Sequence, residues 1–174
     1  PHYTAASTEV CRRYGAEFTF AHKSRMLGRR ALAAADWLVA ELGLPMTGED
    51  FIREREPLLD ALFATAQPMP GAVDLTAYLT ARGIPHAVAS SSSRRNFAIK
   101  TRPHADWFAR FDAVVLGDDP EVHDGKPAPD IFLEAAARLR VSPTACMVLE
   151  DSEPGMRGAL AAGILTIPMS LALQ

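Results

Sequence analysis

The stretch Ile84-Pro85-His86-Ala87-Val88-Ala89-Ser90-Ser91-Ser92-Ser93 decides how this chain is read. A short apolar run, Ile84 to Ala89, gives way to four serines, and a helical pattern follows from about Arg94 to Lys100. An apolar run of that length, bounded by polar residues, reads as a buried strand. The same arrangement recurs downstream. Ala113 to Leu116 ends in Gly117-Asp118-Asp119, Cys146 to Leu149 ends in Glu150-Asp151-Ser152, and Ile164 to Met169 is a fourth run. Helices are expected at about Pro70 to Arg82, Pro129 to Leu139 and Pro154 to Ala162. Short apolar strands alternating with helices predict an α/β fold with a parallel sheet and right-handed crossovers.

Upstream the pattern is helical only. Tyr3, Ala6, Val10 and Tyr14 recur at helical spacing before Gly15, a good stop. A second helix is expected from about Arg29 to Leu42, closed by Gly43. A third begins near Thr47, which stands at capping-box spacing from Asp50, and Pro57 should kink or split it. No strand is expected before residue 66. The linker-like Gln67-Pro68-Met69-Pro70-Gly71 then divides the chain into a helical module, residues 1–66, and an α/β part, residues 67–174.

Composition narrows the function. Among 174 residues, 48% are hydrophobic and 22% charged, enough apolar surface for a core. The net charge of −3 argues against a general nucleic-acid or membrane-surface binder. No apolar run approaches a membrane span, and no signal peptide is visible. Two cysteines, Cys11 and Cys146, cannot build a disulfide framework, so a reducing cytoplasm is the expected location. Both are read as packing residues, Cys11 in a helix and Cys146 in the sheet core. Trp37, beside Leu38 and Val39, is likewise read as core.

In parallel α/β sheets, functional groups gather beyond the carboxyl ends of the strands. Ser90 stands at such an end, and the amides that follow it open a helix. A hydroxyl with helix N-terminal N–H groups makes an anion site. Glu150 and Asp151 also follow a strand. Adjacent carboxylates repel unless a cation sits near them, and Mg²⁺, with its oxygen ligands, suits them. Lys126 lies in Gly125-Lys126-Pro127-Ala128-Pro129-Asp130, where two prolines stiffen the backbone just before a helix. A lysine so held is suited to a defined anion, though the segment also reads as a turn and helix start. Asp118-Asp119, followed by Pro120, is read as a turn.

Taken in order, a strand ending in Ser90, the Gly125–Asp130 segment and a strand ending in Leu149-Glu150-Asp151-Ser152 resemble the haloacid dehalogenase superfamily. Leu116-Gly117-Asp118-Asp119-Pro120-Glu121-Val122, with Leu44-Pro45-Met46 upstream, looks most like its pseudouridine-5′-phosphatase-like group. The resemblance implies a three-layer α/β/α Rossmannoid core with a parallel sheet, and a helical cap over residues 1–66. It implies a Mg²⁺-dependent phosphatase of small phosphorylated metabolites working through an aspartyl-phosphate. On that reading Ser90 and the amides of Ser91 and Ser92 bind phosphate, and Lys126 neutralises nucleophile and phosphate. Asp151 ligates Mg²⁺, Glu150 holds metal-bound water or Lys126, and Arg29 of the cap can face the substrate.

The chain departs from that family in one respect. No Asp-x-Asp follows an apolar strand, so the family's nucleophile motif and the first core strand are not found. In the family that strand lies between the strands ending at Ser90 and Glu150. The chain also begins at Pro1 rather than Met. The expectations are a truncated sequence, inactive alone, with unpaired strand edges in the core and a tendency to fold poorly or swap strands. A β-phosphoglucomutase-type phosphomutase and a non-catalytic phosphate-binding protein stay open as alternatives, as does the oligomeric state.

Overall fold

A computed structural model describes residues 2–26 and 31–169. The chain divides into two compact units, Pro1–Ala66 and Gln67–Gln174.

The first unit is helical. Its described elements are α1 (His2–Arg13), α2 (Phe20–Met26), α3 (Ala31–Leu42) and α4 (Gly48–Phe63). On α1 the buried residues Ala6, Ser7, Val10 and Cys11 fall three and four apart, one helical stripe. Val10 and Cys11 pack with Ala35 and Leu38 of α3, Phe51 of α4 and the loop residue Leu44. Trp37 is partly buried against this cluster.

Helix α4 starts with the reciprocal cap that the spacing announced. Thr47 Oγ1 accepts from the Asp50 amide at 3.1 Å, and Asp50 Oδ2 accepts from the Thr47 amide at 3.1 Å. The expected split at Pro57 does not occur, and α4 runs through it unbroken. Proline costs the helix one amide bond. Here the proline is exposed, while buried Phe51 before it and Leu59 and Phe63 after it keep both halves packed.

The second unit alternates. It contains α5 (Ala72–Ala81), β1 (Ala87–Ser90), α6 (Arg94–Thr101), α7 (Ala105–Phe108), β2 (Ala113–Leu116), α8 (Asp130–Leu139), β3 (Met147–Glu150), α9 (Glu153–Ala161) and β4 (Leu165–Pro168). Short 3₁₀ turns at Arg102–His104 and Pro143–Ala145 complete it. Strand β1 is shorter than the apolar run Ile84–Ala89 because Pro85 has no N–H for a ladder.

All strand pairing is parallel, yet the four described strands do not form one sheet. β1 pairs with β2, from Ala87↔Ala113 to Ser90↔Leu116, and β3 pairs with β4, from Met147↔Leu165 to Glu150↔Pro168. Among the described residues, β1 and β3 each have one strand neighbour. The core gathers Val115 of β2, Ile131 and Phe132 of α8, Ala159 of α9 and Ile164, with Ala89, Cys146 and Val148 packed against them. Cys146 itself is half-buried, at the end of a 3₁₀ turn rather than within a strand. On the other face of the β3–β4 pair, Met147, Leu149, Leu165 and Ile167 are exposed.

Candidate active site

Parallel pairing places Ser90 beside Leu116 and Glu150 beside Pro168 at the carboxyl ends of the two strand pairs. One side chain joins the pairs. Lys126 donates to the carbonyl of Ala89 in β1 at 3.2 Å and to Glu150 Oε2 in β3 at 2.7 Å. Its side chain is only 11% exposed and Glu150's 10%. The ammonium also lies 4.7 Å from the centre of the Phe132 ring, a cation–π contact on α8. The backbone leading from Lys126 into that helix carries a cis peptide at Lys126–Pro127.

Glu150 is fully engaged. Its other oxygen, Oε1, accepts from the Ser152 amide at 3.1 Å and the Ser152 hydroxyl at 2.7 Å. Ser152 Oγ in turn accepts from the Gly155 amide at 3.1 Å, capping α9. Burial alone would raise the Glu150 carboxyl, but Lys126 and Ser152 outweigh it and hold it below the usual carboxylate range. Gly155 makes this approach possible, since a Cβ there would collide with the Glu150 carboxyl group.

Asp151 differs from its neighbour. It is exposed, and no hydrogen bond to it is present among the described residues. No group of three His, Cys, Asp or Glu side chains comes together among those residues. Mg²⁺ keeps several waters and often takes one or two carboxylates together with substrate phosphate oxygens. Asp151 fits that role as a single ligand, whereas Glu150 would have to release Lys126 or Ser152.

The serine loop is held from two sides. Ser92 donates its amide to Ser90 Oγ at 3.2 Å, so that amide is not free for an anion as expected. The Ser92 carbonyl accepts from the Gly117 amide at 3.1 Å. Ser93 caps α6, its hydroxyl accepting from the Asn96 amide at 3.4 Å. A Cβ on Gly117 would lie 2.7 Å from the Ser91 carbonyl oxygen, so only glycine lets the β2 end approach the loop so closely.

The acidic pair after β2 does more than turn the chain. Both Asp118 oxygens accept from the Arg94 amide at 2.9 Å, which ties this loop to the start of α6. Asp119, 1% exposed, accepts from the Leu116 amide at 3.2 Å and pairs with Arg138 at 3.0 Å and with Arg94. Arg29 lies outside the described residues.

Residues 3–163 match the family described as haloacid dehalogenase-like hydrolase. The chain belongs to this family. The chain is 41% identical over 170 residues to (DL)-glycerol-3-phosphatase 1, mitochondrial, of Arabidopsis thaliana, a match covering 95% of this chain and 57% of that protein. It thus spans less than two thirds of that relative. A pseudouridine-5′-phosphatase candidate of Drosophila melanogaster is 37% identical over 168 residues, covering 95% of this chain and 73% of that protein. In structure, the haloacid dehalogenase-like chain resembles a β-phosphoglucomutase candidate from Thermotoga maritima with a TM-score of 0.84 and 28% identity, over 99% of this chain and 79% of the other. The relatives named here include phosphatases. Among the described residues no helix is long and apolar enough to cross a membrane.

Proposed function

We propose that these residues form the phosphate-binding side of a cytoplasmic phosphomonoester hydrolase acting on small phosphorylated metabolites. The observation that carries this reading is the Lys126 ammonium, fixed between Glu150 and the carbonyl of Ala89, the residue before Ser90. A cation held by two acceptors is positioned before the substrate arrives, and such preorganised charge is where phosphoryl transfer gains most. The units 1–66 and 67–174 serve as helical cap and α/β core.

In this reading Ser90 Oγ, whose lone pair already accepts from Ser92, directs its proton at a phosphoryl oxygen, and the Ser91 amide adds a second donor. Lys126 neutralises the charge on the phosphoryl group and on the attacking carboxylate. Glu150 serves Lys126, and Asp151 would ligate Mg²⁺, which supplies further charge neutralisation when bound. The family's Asp-x-Asp motif is not found in this sequence; the nucleophile of this route is an Asp carboxylate. It bonds to phosphorus as the substrate's ester oxygen leaves and takes up a proton; water then cleaves the acyl phosphate to release phosphate.

The test is turnover of an aryl phosphate by the full-length protein with Mg²⁺. Lys126→Ala and Asp151→Asn are each expected to lower it by about 10²–10³-fold. Unchanged turnover in either variant removes that residue from the site. Likeness to the Thermotoga structure favours a phosphomutase as the second reading; isomerised sugar phosphate instead of free phosphate would select it.

A further inference from the structure

A lysine other than Lys126 touches the serine loop. Lys100, near the end of α6, reaches back along the helix and donates from Nζ to Ser92 Oγ at 2.9 Å. That direction is natural, because helical side chains lean toward the N-terminus. The contact completes a three-way clamp on Ser92, whose amide is bound to Ser90 Oγ and whose carbonyl accepts from Gly117. The Lys100 side chain is half-buried, and desolvation draws its pKa down from the ordinary lysine value. A long cation is thus kept partly out of water where it meets the Ser92 hydroxyl.

The chemistry of that hydroxyl gives the contact a direction. A serine has one O–H donor and two lone pairs, while an ammonium only donates. With Lys100 occupying a lone pair, the Ser92 proton points elsewhere, and the adjacent positive charge makes it a stronger donor. Ser90 Oγ is set the same way by the Ser92 amide. The Ser90 and Ser92 hydroxyls are therefore both oriented as donors, the arrangement an anion needs.

We propose that Lys100 is a positioning residue of the phosphoryl site, acting through Ser92 to fix its hydroxyl as a donor to a bound phosphoryl oxygen. The proposal rests on the phosphatase reading above. It assigns to Lys100 the binding of the phosphoryl group rather than its transfer.

The experiment uses the full-length protein with two readouts, inorganic phosphate binding and aryl phosphate kinetics. The variants are Lys100→Met, Lys100→Arg, Ser92→Ala and the double variant of Lys100→Met with Ser92→Ala. Lys100→Met is expected to weaken phosphate binding and raise KM about tenfold with kcat changed far less, the loss of one charge-assisted hydrogen bond. Lys100→Arg should recover most of the loss. The double variant should be no worse than Ser92→Ala alone, because the two residues act as one unit. Wild-type KM and phosphate binding in Lys100→Met overturn the assignment, as do additive losses in the double variant. If wild-type protein and Lys126→Ala are equally indifferent to phosphate, the phosphatase reading itself falls and takes this assignment with it. Phosphate binding that depends on Lys126 but not on Lys100 removes the Lys100 role alone.

Discussion

At the scale of single residues, Asp119 shows how a short acidic turn becomes a structural centre. Burial would raise its carboxyl, but the Leu116 amide and the guanidiniums of Arg138 and Arg94 outweigh that and hold it below the ordinary range. Glu150 is depressed in the same way by Lys126 and Ser152. A carboxylate with a lowered folded-state pKa contributes stability that is fully present above its unfolded value, near 4, and lost as pH falls through the folded one. Urea unfolding should therefore give a stability that is flat at neutral pH and declines below about pH 4. Asp119→Asn should lower the neutral plateau by about 1–3 kcal/mol and flatten the acid decline. A variant with the wild-type acid limb would show that the charge of Asp119 contributes little. Sequence alone reads Glu150 and Asp151 as candidates because they close a strand, and Lys126 because two prolines hold it just before a helix. It does not read the bond between Lys126 and Glu150, nor the burial of Asp119, because both depend on partners far along the chain, such as Glu150 for Lys126 and Arg94 and Arg138 for Asp119.

At the scale of elements, period and punctuation made most helices and all four strands legible. The exceptions have physical reasons. Helix α2 buries no residue, so its sequence carries no apolar stripe. Pro57 reads as a break, yet packing on both sides of it carries α4 through. The capping box of α4 was readable because it is local, with Thr47 and Asp50 three residues apart and bonded in both directions. Thr47→Ala should cost about 1 kcal/mol, seen as a lower unfolding midpoint with an unchanged denaturant slope. No change in midpoint would mean that water replaces the cap without loss.

At the scale of the whole molecule, each compact unit has its own apolar cluster, and the clusters share no residue. Phe51→Ala is expected to cost about 3–5 kcal/mol in the unfolding of the helical unit, and Val115→Ala a smaller loss in the α/β unit. Calorimetry should show each substitution moving one transition; equal movement of a single transition would show that the units unfold together. The two compact units divide after Ala66, where the sequence changes rhythm. The separation into two strand pairs was expected from the family resemblance, which sets a strand not found here between those ending at Ser90 and Glu150; periodicity alone does not show it, because a parallel strand reads the same whatever lies on its free edge. Lys126 bridges those pairs, one hydrogen bond to each. An ammonium so enclosed exchanges its protons slowly with solvent, so its ¹⁵N resonance is a built-in gauge of the gap between the two pairs. A single isotope-labelled lysine would report, in real time, whether an arriving anion pulls the strand ends together or leaves them where they are.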